Sequence, residues 1–184
     1  GEIWLRRKSG EVFAAWMTID VIDPGEGDVR GSVAVFADIS TVKEAEKRLE
    51  FLAHHDPLSG LANRTMFHER VVHVLARAER RKRLVALLYL DLDGFKHVND
   101  SFGHEVGDRV LELAAERLRE CVRAEDMLAR LGGDEFGVLL EDIAEPWSAA
   151  LVAEKIIEGL SAPFVVDERE LLIALLTGHA PALH

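Results

Sequence analysis

The sequence predicts an α+β fold: one sheet with helices packed against it, preceded by a small β unit, and not a βαβ repeat. Three observations carry this. The seven-residue apolar run Leu84–Leu90 reads as a strand buried on both faces. Two more apolar runs, Met127–Leu131 and Phe136–Leu140, flank Gly132-Gly133, which reads as a tight hairpin turn. Helical periodicity recurs around these runs, so the order is helix, strand, helix, hairpin, helix, strands.

From the N-terminus, Val12–Ile22 alternates, with Phe13, Ala15, Met17, Ile19 and Val21 on one face. A turn cluster at 24–28 and a second strand, Gly31–Ile39, complete a β-hairpin. Thr41 with Glu44 fits a capping box that opens a helix. Val42, Ala45, Leu49 and Leu52 then form an a/d seam of two heptads, either a parallel coiled coil or an amphipathic helix packed on its own domain. A second domain begins at Asp56, with turn chemistry at Asp56-Pro57 and Ser59-Gly60 and a helix from about Thr65 into the 70s. Val106, Val110, Leu113 or Ala114, Leu118 and Cys121 mark a further helix. Another runs from Ser148 to Leu160 with Leu151, Ala153, Ile156, Ile157 and Leu160 inward, and strands follow at Phe164–Val166 and Leu171–Leu176.

Composition bounds the function. At 184 residues the chain holds one full domain and a fragment of another, and 48% apolar with 30% charged residues is the composition of a soluble globular protein. The formal charge of −11 argues against a binder of phosphate backbones, so no nucleic-acid partner is expected. A nucleotide still fits if metal ions and a few local cations offset the repulsion. The basic run Arg77, Arg80, Arg81, Lys82, Arg83 reads as a complement to a helix C-terminus. His54 and His55, about 100° apart on a helix, do not suit one metal ion. The single Cys121 excludes an intrachain disulfide and suits a reducing compartment. No apolar run approaches the roughly 18–20 residues of a membrane span, and a cytoplasmic chain is expected, with an anchor upstream in the parent protein still compatible. Beginning Gly-Glu rather than Met, the chain is expected to be a piece of a longer protein.

Chemistry concentrates at two places. Asp91-Leu92-Asp93 ends the buried strand, and alternation sends both carboxylates to one side. An acid directly after an apolar run is costly unless paired, metal-bound or solvated, and a solvated strand end is the plain alternative. At the hairpin turn, Asp134 and Glu135 concentrate charge beside two glycines that let backbone approach a ligand, where a divalent cation could bridge to phosphate.

The run Arg130-Leu131-Gly132-Gly133-Asp134-Glu135-Phe136 resembles the signature loop of the GGDEF family, the diguanylate cyclases, letter for letter. Three further matches stand at fitting distances: Asp91 through Asp108 is similar to the family's second hallmark, Arg123-Ala-Glu-Asp126 to its inhibitory site, and Asp56, Leu58, Ser59, Gly60, Leu61, Asn63 and Arg64 to its entry motif. Residues 6–23 and 29–40 resemble the C-terminal part of a PAS sensor domain, with a plain hairpin as the alternative. The resemblance implies PAS residues at 1–40, a coiled-coil linker helix at 41–55, and at 56–184 a nucleotidyl-cyclase or palm-like sheet lacking the family's last helix.

By the same resemblance, Asp91, Asp134 and Glu135 would be catalytic, with Asp91, Asp134 and the Leu92 carbonyl holding Mg2+ or Mn2+. Gly94, Phe95 and Lys96 would bind the GTP phosphates, Gly132 and Gly133 would also contact GTP, and Asn99 and Asp108 would read guanine. Arg123 and Asp126 would bind cyclic di-GMP as product inhibitor. The implied reaction condenses two GTP into cyclic di-GMP across a homodimer joined by the linker helix, under PAS control, with the PAS ligand left open. Many relatives carry a phosphodiesterase domain further on. The pattern departs near the end: Thr177 and His179 stand where isoleucines are usual, and the last helix is missing. That predicts weaker substrate binding, by about 1.5–3 kcal/mol per lost charge-assisted contact, and an exposed apolar sheet face. It also keeps open a second reading, a non-catalytic module that binds GTP or cyclic di-GMP to regulate a neighbouring domain.

Overall fold

The computed structural model describes residues 1–22, 31–145 and 147–180. They fall into two compact units, 1–51 and 52–184.

The first unit is a three-stranded antiparallel sheet in the order β1-β2-β3, from β1 (Glu2–Arg6), β2 (Val12–Ile22) and β3 (Gly31–Asp38). The expected hairpin is therefore one strand short. β1 is too brief and too close to Arg6-Arg7-Lys8 to show its period, but Gly10 at φ 94° closes a turn, donating to the Arg7 carbonyl at 2.9 Å, and β1 pairs along its length with β2. Helix α1 (Ser40–His54) follows. Its start is capped by the Asp38 side chain, which accepts from the Ser40 N–H at 3.0 Å, and not by a Thr41–Glu44 box, since Thr41 already lies inside the helix. The seam residues Val42, Leu49 and Leu52 are exposed, Leu49 by 68%, so that stripe is not buried among the described residues.

The second unit contains α2 (Arg64–Arg81), β4 (Leu84–Asp93), α3 (Phe95–Phe102), α4 (His104–Cys121), β5 (Met127–Gly132), β6 (Glu135–Ile143), α5 (Trp147–Ser161), β7 (Phe164–Val166), β8 (Arg169–Leu171) and β9 (Ala174–Ala180). Four strands make an antiparallel sheet in the order β5-β6-β4-β9, and β7-β8 form a separate hairpin. Strand alternation sorts the side chains into two cores. Leu88, Leu90, Leu92, Phe136, Val138 and Leu140 meet α4 and α5 through Val110, Ala114, Leu118, Ile156 and Leu160. Val85, Leu131 and Leu139 meet α2 through Phe67, Val74 and Ala78. The fold is α+β, three layers deep, with β4 and β6 in the middle.

Several details differ from expectation. Leu171–Leu176 is not one strand: Asp167 and Glu168, both at positive φ, turn β7 into β8, and a separate strand, β9, then pairs with β4. An unbroken apolar run carries no mark of where its pairing partner changes. Leu151 and Ile157 are exposed, because the inward stripe of α5 runs through Ala149, Val152, Ala153, Ile156 and Leu160. Tyr89 is 48% exposed, so β4 is not buried on both faces throughout. The turn itself is Gly133-Asp134, not Gly132-Gly133, with Gly132 already paired to Glu135.

Candidate active site at the end of β4 and the β5–β6 turn

Antiparallel pairing of β4 with β6 places Asp91 directly opposite Glu135. The Leu92 N–H donates to the Asp134 carbonyl at 3.4 Å, which ties the end of β4 to the turn. Burial, then the carboxylates of Asp134, Glu135 and Asp93, push the Asp91 carboxyl above its ordinary value of 3.8. Four acids thus lie near enough to one another, where two strands end, for the charges of three to act on Asp91. Gly133 adopts φ 55°, a conformation that disfavours side chains, and this left-handed step carries the backbone from β5 to Asp134.

β4 leads through Gly94, at φ 82°, into α3, whose N-terminus no side chain caps. The first N–H groups of a helix have no intrahelical acceptor and suit an anion. Phe95 anchors this end in the core, and Lys96 is exposed beside it. Asn99, half-buried, sits against α4: a Cβ on Gly107 would lie 2.0 Å from the Asn99 Oδ1, so only glycine leaves room for that amide. Asp108, the next residue, is exposed.

Arg123 and Asp126 lie elsewhere, before β5, roughly 20 Å from Gly132 by strand rise. The Asp126 Oδ2 accepts from the Arg123 N–H at 3.1 Å and its Oδ1 from the Glu141 N–H at 3.3 Å, so this carboxylate builds the turn that presents the exposed Arg123.

Two arginines flank the signature turn, and the sequence pattern alone assigned neither a role there. Arg130 donates to the Gly133 carbonyl at 2.9 and 2.7 Å and to both Asp56 oxygens at 3.0 and 3.1 Å. Arg64 donates to the Leu131 carbonyl and to Glu135 Oε2, each at 2.8 Å. The signal for Arg130 was present, since a charge inside an apolar strand needs a partner. Asn63 is the N-cap of α2, accepting from the Met66 N–H at 3.0 Å, and donates to the Leu52 and Ala53 carbonyls at 3.3 and 2.9 Å. Arg70 and Arg77 clamp the buried Glu141, so Arg77 does more than complement a helix end.

Among the described residues no three His, Cys, Asp or Glu side chains form a metal cluster. The chemistry of the donors still suits Mg2+ or Mn2+: hard carboxylate oxygens of Asp91, Asp134 and Glu135 lie where β4 and the turn end.

The family profile described as diguanylate cyclase, GGDEF domain, matches residues 53–183. The chain belongs to the GGDEF diguanylate cyclase family. Among curated relatives it is 41% identical over 169 residues to MucR of Pseudomonas aeruginosa, a bifunctional diguanylate cyclase/cyclic di-GMP phosphodiesterase, covering 92% of this chain and 24% of MucR. Among solved structures it resembles the GGDEF domain of TpbB (YfiN) from Pseudomonas aeruginosa, with TM-score 0.67 and 40% identity over 68% of this chain and 74% of that one. It also resembles the coiled coil and GGDEF domain of DgcB from Caulobacter crescentus in complex with cyclic di-GMP, with TM-score 0.68 and 26% identity over 77% of this chain and 75% of that one. The chain thus spans about a quarter of the length of MucR. Among the described residues no helix is long and apolar enough to cross a membrane.

Proposed function

We propose that this GGDEF domain is catalytic and condenses two GTP molecules into cyclic di-GMP. The observation that carries the reading is the register of β4 and β6, which sets Asp91 against Glu135 with Asp134 on the adjoining turn and the uncapped start of α3 alongside. Asp91, Asp134 and the Leu92 carbonyl would hold Mg2+ or Mn2+, with Glu135 assisting. When bound, such ions stabilise charge on the phosphoryl oxygens and ease loss of the proton from the attacking ribose hydroxyl.

The chain's own groups do the rest. N–H groups of Gly94 and Phe95 and the Lys96 ammonium hold phosphate oxygens, while Gly132 and Gly133 let the triphosphate approach the turn. Asn99, fixed by Gly107, and Asp108 read guanine, because a carboxylate accepts from the N1–H and amino group that guanine presents. The 3′-oxygen of each GTP attacks the α-phosphorus of the other in turn; each new P–O bond replaces the bond to the α,β-bridging oxygen, the hydroxyl proton is lost, and two pyrophosphates leave as the ring closes.

One domain holds one GTP, so two must face each other. The exposed seam of α1 supplies a dimer contact, and the β1–β3 sheet belongs to a PAS module that governs it. Arg123, presented by Asp126, binds the product and limits synthesis. The likeness to DgcB, solved as a coiled coil and GGDEF domain in complex with cyclic di-GMP, supports a coiled-coil linker and binding of the product.

Incubation with GTP and Mg2+, with chromatographic identification of the product, tests the reading. Cyclic di-GMP from the wild type and none from Asp134→Ala is the expected result. No product from a folded dimer would leave the non-catalytic binding module as the function.

A further inference from the structure

Arg130 reaches in two directions from β5. One side of its guanidinium meets Asp56, with side chains only 12% and 18% exposed, so the pair is shielded from the screening that weakens surface pairs. The other side holds the Gly133 carbonyl with two N–H groups. That carbonyl belongs to the peptide unit that joins Gly133 to Asp134. Gly133 has no side chain to hold it, and its left-handed backbone is the freest step of the turn.

Asp56 is itself fixed. Its Oδ1 accepts from the Ser59 N–H at 2.8 Å and the Ser59 hydroxyl at 2.7 Å. Its backbone N–H donates to the Leu61 carbonyl at 2.8 Å, and its carbonyl accepts from Gly60 at 2.9 Å. The chain of contacts therefore runs from a rigid loop after α1, through one guanidinium, to the peptide that aims Asp134. Arg64 holds the other shoulder of the hairpin, but its pair with Glu135 is more than half exposed and screened.

We propose that Arg130 is a positioning residue for the Asp134 carboxylate, with Asp56 acting through it, so that the entry motif sets the geometry of the acidic cluster as well as starting the domain. The inference rests on the cyclase reading of that cluster. A purely structural ion pair would cost thermal stability without a selective loss of turnover. A positioning role predicts the reverse emphasis, because the reacting groups tolerate little displacement.

The experiment uses the whole chain with Arg130→Lys, which keeps the charge but loses the fork, and Asp56→Asn, which loses the charge and keeps the shape. Each lowers kcat by about 10- to 100-fold, the range for groups that orient metal ligands, with KM for GTP changed less than about threefold. The double variant loses no more than the worse single one, since both break one contact chain. Independently of turnover, amide exchange in 131–136 rises by about tenfold or more in both single variants while α4 keeps its protection.

Unchanged exchange at the turn would overturn the proposal, as would loss of protection throughout α4. Looser exchange with unaltered kcat in an active enzyme would overturn it too. If the wild type makes no cyclic di-GMP, the cyclase reading falls by itself, and exchange alone decides whether Arg130 holds the turn.

Discussion

Asp91 and Glu135 face each other across the β4–β6 pair, one at the end of a central strand and the other directly after the turn. Like charges opposite one another destabilise a sheet. The arrangement therefore costs stability in the metal-free protein.

That cost is measurable through pH. The Asp91 carboxyl is raised above 3.8 by burial and its acidic neighbours, so the folded state holds this proton more tightly than the unfolded state. Stability falls as pH rises from 3.8 through the folded value, because ionisation is then harder in the fold. Thermal unfolding in EDTA between about pH 3 and 7 should show Asp91→Asn unfolding at a higher temperature than wild type at the upper end only. The same variant should lose Mn2+ binding. A lower unfolding temperature for Asp91→Asn near neutrality would contradict this account.

The Asp56 carboxyl moves the other way. Burial alone would raise it, but the Ser59 hydroxyl and N–H and the Arg130 guanidinium outweigh burial and hold it below 3.8. Its contribution is fully present above that value and is lost as pH falls through the lower folded value. The stability difference between wild type and Asp56→Asn should thus be constant at neutral pH and close in acid. A difference that widened on acidification would contradict the pairing.

Gly107→Ala tests how Asn99 is held. Alanine in a helix interior ordinarily gains about 1 kcal/mol over glycine. Here the new Cβ would meet the Asn99 Oδ1 at 2.0 Å, so overpacking of about 1–3 kcal/mol opposes that gain. Net destabilisation and weaker GTP binding are expected. Gly107→Ala with Asn99→Ala should recover the stability but not the binding, read by calorimetry.

Glu141 should show an asymmetric cost. Its side chain is 4% exposed, whereas Arg70 and Arg77 keep 46% and 36% of theirs. Removing both arginines strands a buried carboxylate and should cost about 3–5 kcal/mol. Glu141→Gln lets two exposed guanidiniums return to water and should cost about 1–2 kcal/mol. Denaturant unfolding checks the order of the two values.

Much of the second unit was legible because its signals are local. Leu84–Leu90 as a strand, the α4 stripe through Val110, Ala114 and Leu118, and the hairpin around the signature turn all appear where periodicity put them. What was missed is either too short to show a period or depends on partners distant in sequence. α3 is eight residues long, too short to display a period, and is bracketed by Gly94 and Gly103. β9 and β8 share one apolar run and differ only in what they pair with. In the site, residue types pointed to acids and glycines, but Arg130 and Asp56 are 74 positions apart, and only the fold joins them.

The most direct measurement is mass balance with limiting GTP and excess Mg2+. Two GTP consumed should yield one cyclic di-GMP and two pyrophosphates with the wild type, and neither product with Asp134→Ala. GTP left intact by a folded, metal-loaded wild type, or GDP and phosphate as the only products, would contradict the assignment of this acidic cluster to cyclic di-GMP synthesis.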